Sequence, residues 1–231
     1  YSNVDRADLF LLMRNTFTVG LFVSLLIVLV ALILTVAKRF DSSSLVKWFI
    51  QFATMGYAIP GSVIAIGILI PLGFIDTVID KYFRANFNYS TGLLLSGTLF
   101  AVGYGYIVRF IMIAYNSVSS RFGDIDESLD EVASTLGNST LSTFIHVHLP
   151  LNKSSLLSAY ILVFIDVVKE LPATLILRPF NFDTLATKTY EYAIEEMLSE
   201  SAIYCLAIIF TTLLPTYFLS KISLRKDSSN F

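Results

Sequence analysis

NTFTVGLFVSLLIVLVALILTVA, residues 15–37, holds no charged side chain and is dominated by Leu, Val and Ile. Lys38-Arg39 ends it. A helix rising about 1.5 Å per residue needs roughly 20 apolar residues to cross a hydrocarbon core about 30 Å thick. The stretch therefore reads as a membrane-spanning helix. The rest of the chain agrees: of 231 residues, 55% are hydrophobic and only 15% charged, with mean hydropathy +0.71. A soluble domain carries about 25% charged residues. Here the apolar excess has to meet lipid, so the composition defines an integral membrane protein.

Four more runs of this kind follow. Trp48–Ile75 is charge-free and broken by Pro60-Gly61 and Pro71. It predicts a helix that enters near Trp48, kinks or breaks near Pro60 and leaves near Pro71. Backbone groups freed by such a break are tolerated only inside protein or beside a water-filled cavity. Ala85–Val108 carries Gly97, Ala101 and Gly105 on one face, a small-residue stripe that allows close helix packing. A fourth run begins after Pro150 and is interrupted by Asp166, Lys169, Glu170 and Pro172. The last is Ser201–Ser220. The expectation is an all-α polytopic bundle forming one transmembrane domain over 1–231. Its spans lie near 15–37, 48–71, 88–113, 152–177 and 201–220, with a polar loop at 116–150.

Five spans put the termini on opposite sides. Lys38, Arg39, Lys47, Arg109, Arg121, Lys153, Lys221, Arg225 and Lys226 fall on one side. Arg6, Arg14, Lys81, Arg84, Lys169, Arg178 and Lys188 fall on the other. The basic excess favours the first side, with the 116–150 loop and the C-terminus, as cytoplasmic. A net charge of −2 argues against nucleic-acid binding. The single cysteine, Cys205, excludes an internal disulfide and, in its apolar run, reads as a small buried residue. The chain starts at Tyr1 rather than Met and shows no signal peptide, so an upstream portion is expected.

The 116–150 loop is too polar to span. Asp124 is a good N-cap, and Ile125, Leu129, Val132, Ala133 and Leu136 then share one helix face. Gly137 suits the left-handed residue just past a helix end. Asn138 or Ser139 can cap a second short helix with Leu141, Phe144, Ile145 and Leu149 on one face. Pro150 is expected to end that helix and hold Leu149 extended. His146 and His148, at i and i+2, point to different faces, are not spaced as metal ligands and are expected at the surface.

Glu131, Ala133, Gly137, Val147, Leu149 and Pro150 fit the pattern E-A-A-x3-G-x9-I-x-L-P, with Val132 and Val147 as conservative departures. This resembles the cytoplasmic loop signature of permease subunits in binding-protein-dependent ABC importers. The resemblance implies the type I importer permease fold and makes the loop a coupling helix, which sits in a groove of a cytoplasmic ATPase subunit. On it Glu131, Val132, Ala133 and Gly137 dock, Val147 belongs to the same coupling loop, and Leu149 and Pro150 anchor the loop to the fourth span. No G-x4-G-K-[ST] stretch is present, so ATP and magnesium would belong to the partner and this chain would not be an enzyme. Residues 56–72 and 169–196 resemble the corresponding segments of ferric-iron uptake permeases. That implies Fe³⁺ delivered by a periplasmic binding protein and a path made by two permease halves, often fused. This chain would be about one half, the C-terminal one, paired with an upstream half or a second copy in the bacterial inner membrane.

Asp166, Lys169 and Glu170 interrupt a span on one helix face, either as an internal Asp166–Lys169 pair or as a polar lining of the path. Glu191, Glu195, Glu196 and Glu200 would form an acidic periplasmic mouth, or merely a solvated face. No metal ligand set can be named. The rival cargoes are thiamine, polyamine, sulfate and phosphonate. The rival classes are an ATP-independent channel or secondary transporter and a non-transporting scaffold.

Overall fold

The computed structural model describes residues 5–41, 43–126 and 128–227, and they are almost wholly helical. The first helix, α1 (Arg6–Phe40), is started by the Asp5 carboxylate, which accepts the Ala7 N–H at 2.9 Å. Lys38 and Arg39 complement the negative end of its dipole. Its buried stripe runs Gly20, Val23, Ile27, Val28, Ala31 and Leu32, and the opposite face shows Phe22, Leu25, Leu29 and Ile33 outward. That is the arrangement of a helix with one side in a bundle and one in lipid. α1 lies parallel to α4 (Leu99–Gly123) and against α7 (Leu149–Val168), and these three carry most of the core. Gly20 lets the Phe164 ring approach so closely that an added Cβ would sit 2.8 Å from it.

The second span is broken. α2 (Ser44–Thr54) is followed by a 3₁₀ turn, Met55–Ala58, and extended backbone through Ile59 and Pro60. α3 (Gly61–Phe87) then starts afresh. Pro71 does not end the span; it lies inside α3, which runs on to Asn88 in the left-handed conformation. Five helices of the described residues are long and apolar enough to cross a membrane, and they end elsewhere than the apolar runs alone suggest: Arg6–Phe40, Gly61–Phe87, Leu99–Gly123, Thr140–Val168 and Leu198–Phe218.

The largest displacement is in the third span, expected from residue 88 and starting at Leu99. The cause is a pair of carboxylates on α3. Asp76, nearly inaccessible, accepts the backbone N–H groups of Leu94, Leu95 and Ser96 and the Ser96 hydroxyl, at 2.6–3.1 Å. Asp80 accepts the Thr91 N–H and the Ser90 hydroxyl. Donors that would otherwise enter a helix ladder are folded back onto α3. Gly97, with φ +65°, turns the chain into α4 and is not a packing residue; Ala101 and Gly105 do face the core.

α5 (Ser128–Thr135) and α6 (Thr140–Thr143) follow α4. α6 passes through a π turn, Phe144–His148, directly into α7. The sequence expectation that Pro150 ends this helix is overturned: Leu149 is helical (φ −62°, ψ −47°). Proline has no N–H and its ring crowds the carbonyl four residues back. The wider π turn, in which the Leu149 N–H reaches Phe144 O, shifts the ladder where that crowding would fall. α7 stops at Val168, so the expected 152–177 span is two elements, with α8 (Pro172–Leu177) separate. α9 (Leu185–Ile194) opens with a Thr184–Thr187 capping box. α10 (Leu198–Asp227) closes the chain; the side chains of Arg225 and Lys226 lie outside the described residues. Cys205 is exposed rather than buried, because α10 packs mainly on α9 and α7 and leaves much of its surface open.

Gly56 has the Val108 backbone carbonyl directly against it, whereas nothing lies within 4 Å of Gly67. Gly56→Ala is expected to lower stability by about 1–3 kcal/mol, the usual range for overpacking. Gly67→Ala should stay within about 0.5 kcal/mol. Thermal unfolding in detergent checks both.

Candidate functional site: the polar loop and the buried ion pair

The loop sits at the end of the bundle where α1 and α4 finish. Asp126, not Asp124, opens α5 by accepting the Ser128 N–H at 2.9 Å; Asp124 instead caps the end of α4. α5 closes in a Schellman turn. The Asn138 N–H donates to Ala133 O and the Gly137 N–H to Ser134 O, both at 3.0 Å, with Gly137 at φ +82°. Ser139 then caps α6 through the Ser142 N–H.

The apolar face expected of this loop divides in two. Ile125 and Ala133 are buried, and Phe144 and Leu149 pack on the main core. Leu129, Val132, Leu136, Leu141 and Ile145 point outward, Leu136 with 75% of its surface accessible. Glu131 and Pro150 are exposed and Val147 is half-buried. The loop thus presents a row of large apolar side chains beside an acidic residue, at an end of the bundle rather than along its lipid-facing flank.

His146 is exposed, but His148 is wholly buried, against the sequence expectation. The π turn brings it inward, where it stacks on Phe122 (5.5 Å between centroids) and its Nε2 meets Asp130 Oδ1 at 2.6 Å. Asp130 Oδ2 accepts from Arg39 Nε at 2.8 Å. Neither Arg39 nor Asp130 was marked by the motif. The signal that could have found them is a lone Arg at the end of the first span and a second acid beside Glu131.

The three charges of the fourth span do not share a face. α7 ends before Lys169, so the helical spacing lapses. Asp166 and Lys169 pair with each other at 2.6 Å. Glu170 turns inward, is 6% exposed, and accepts from Arg109 Nε at 3.0 Å. Arg109, counted by sequence on the cytoplasmic side, lies within α4 and joins the core pair. Its Nη1 also donates to Ile59 O at 3.0 Å, and the Ala173 N–H donates to Glu170 Oε1 at 3.2 Å. The pair fits because Gly61 has no side chain: a Cβ there would lie 2.6 Å from Glu170 Oε1.

Glu191 is also paired, with Arg178 Nη2 at 2.9 Å and Lys188 Nζ at 3.1 Å. Arg178 also bonds Asp183. Glu195 and Glu196 are exposed and apart from that network. Burial raises the Glu191 carboxyl, but the hydrogen bonds and charges of Lys188 and Arg178 outweigh it, so the net shift is downward. Among the described residues, no three His, Cys, Asp or Glu side chains are grouped to hold a metal ion.

No protein-family model matches the chain. Across 91% of its length it is 24% identical to the Fe(3+)-transport system permease protein FbpB 2 of Haemophilus influenzae, of which it spans 38%. Across 90% it is 26% identical to the protein named as the 2-aminoethylphosphonate transport system permease PhnV of Salmonella typhimurium, spanning 72% of it. Its fold matches a chain of the inward-facing MetNI methionine ABC transporter with TM-score 0.65, at 15% identity, covering 95% of this chain and 97% of that one. In fold the chain is therefore like a membrane-spanning subunit of an ABC importer, and in sequence it is similar to curated transport permeases. The similarity extends to permeases of the ferric-iron and aminoethylphosphonate systems alike.

Removing either partner of Arg109–Glu170 leaves a buried charge alone, so Arg109→Leu or Glu170→Leu should each cost about 3–5 kcal/mol. The double variant should cost clearly less than their sum, in a double-mutant cycle read by detergent unfolding. Glu191→Gln should be destabilising at neutral pH. A depressed carboxyl contributes its stability above its ordinary range, about 4.3, and loses it as pH falls through the lower folded value. The gap between variant and parent should therefore close on acidification; a constant gap from pH 7 to 3 would contradict the pairing.

Proposed function

We propose that this chain is the permease component of an ATP-driven importer, moving its cargo by alternating access. It pairs with a second permease half or a second copy. The observation that carries this reading is the outward row Leu129, Val132, Leu136, Leu141 and Ile145 on the loop. Apolar side chains of this size at the end of a bundle mark a protein contact. The contact expected there is the groove of a cytoplasmic ATPase subunit, with the exposed Glu131 at its rim and the Gly137 turn fixing its shape. The rival of an ATP-independent channel gives this row no purpose.

The cargo proposed is ferric iron, handed over by a periplasmic binding protein in a bacterial inner membrane. The support is the similarity to the Haemophilus ferric permease, together with residues 169–196. Electrostatics adds nothing to it: Asp166, Glu170 and Glu191 are each neutralised by a basic partner, leaving Glu195 and Glu196 as the free acidic rim. That neutrality, with the Salmonella relative, favours aminoethylphosphonate as the second reading.

Reconstitution in liposomes with the ATPase and binding protein tests both. Radiolabelled Fe³⁺ should enter on ATP addition and labelled aminoethylphosphonate should not; the reverse result transfers the assignment to the second reading. Leu136→Asp should weaken capture of the ATPase subunit about tenfold or more, as expected for a central apolar contact. Unchanged capture would refute the docking role.

A further inference from the structure

We infer that Asp130 is a positioning residue that clamps the loop to the membrane helices, so that a push on α5 reaches α1, α4 and α7 as one body. The inference rests on the permease reading above and concerns how that permease is moved.

The two carboxylate oxygens of Asp130 are used in different directions. Oδ2 takes Arg39 Nε at the end of α1, and Oδ1 takes His148 Nε2 at the head of α7. Arg39 gives three more N–H groups to main-chain carbonyls: Phe122 O at 2.9 Å, Ile125 O at 3.0 Å and Asp126 O at 3.3 Å. These are the last carbonyls of α4 and the turn that follows. His148 stacks on Phe122 and meets Phe40 edge-on, and its carbonyl accepts from Asn152 Nδ2 at 2.8 Å. One carboxylate therefore closes a ring through four elements.

Among the described residues, every side-chain hydrogen bond from α5 to a membrane-spanning helix is made by Asp130. A cleft of about 600 Å³ lies between α5 and the ends of α1 and α4, edged by Lys38, Ser119 and Glu131. Packing therefore does not hold α5 on that side. Its outward face is the row of apolar side chains offered to a partner. A short helix with a free outer face and an open cleft behind it transmits displacement only through its tethers. Exposed ion pairs are weak tethers, but the Arg39 side chain is 11% and the Asp130 side chain 23% exposed, and truncating one partner of a buried pair is costly.

The test is Asp130→Asn, which keeps the size and removes the charge. In the reconstituted complex, D130N should still capture the ATPase subunit and hydrolyse ATP. Cargo moved per ATP should fall about tenfold, within the range seen when coupling between sites is weakened. On the permease alone, in a Cys205→Ser background, spin labels at Ser134 and at the lipid-facing Ile33 report the clamp directly. The parent should give one narrow distance, D130N a broad distribution, and Asp130→Glu a return toward the narrow one. An unchanged transport-to-hydrolysis ratio, or a distance as narrow in D130N as in the parent, overturns the clamp. Should D130N fail to accumulate in membranes, Arg39→Lys, which keeps the charge and loses the fork to three carbonyls, is judged by the same two readouts. A parent complex that imports nothing on ATP addition would instead sink the permease reading, and the label distances would still decide whether Asp130 holds α5.

Discussion

The buried pair Arg109–Glu170 is what permits this bundle to contain interrupted helices. Two breaks meet there: the extended Ile59–Pro60 step before α3 and the Lys169–Leu171 step before α8. In hydrocarbon an unpaired carbonyl or amide costs several kcal/mol, and no water stands by to take it. Arg109 answers the first break by taking Ile59 O, and Glu170 answers the second by taking the Ala173 N–H. The opposite charges then satisfy each other. Gly61 leaves the room, and Thr174, whose hydroxyl donates to Glu170 O and meets the Tyr106 hydroxyl, locks α8 to α4. Two weaknesses in separate spans thus become one joint.

A joint of this kind bears on chemistry as well as architecture. Carboxylates read in isolation suggest a path that draws cations inward. In the folded chain Asp166, Glu170 and Glu191 are committed to guanidinium or ammonium partners, and Glu195 and Glu196 stay exposed. The interior near the breaks is polar but electrically balanced.

The sequence was most legible where the physics is local. Hydropathy alone gives the membrane class and the number of spanning helices, because each apolar run must cross the bilayer by itself. The Gly137 turn and the Ser139 cap are equally readable, since they depend on backbone conformation and on a side chain three residues away. The helix ends were read less well, and each failure has a distant cause. Residues 88–98 carry no charge that would stop a span, but Asp76 and Asp80, more than a turn earlier on α3, gather amides of residues 91–96 into a folded segment. Pro150 ought to stop a helix, and a π turn carries the chain past it. Glu170 shares a helical period with Asp166 and Lys169, yet its partner is 61 positions away. Arg39, Asp130 and His148 form a cluster only after four elements have met, so no window of sequence contains it.

The hydroxyls of α1 bear on the order in which the chain enters the bilayer. Thr16 and Thr35 each donate to the carbonyl four residues back, at 2.8 Å, within their own helix. Made ahead of the helices it packs on here, α1 therefore keeps these polar groups satisfied before those neighbours exist, and can wait in lipid without penalty from them. Only when α9 arrives, some 169 positions later, does Thr16 Oγ1 also accept the Leu185 N–H. The same oxygen serves first as a self-contained group during insertion and afterwards as the latch that joins the beginning of the chain to its last third.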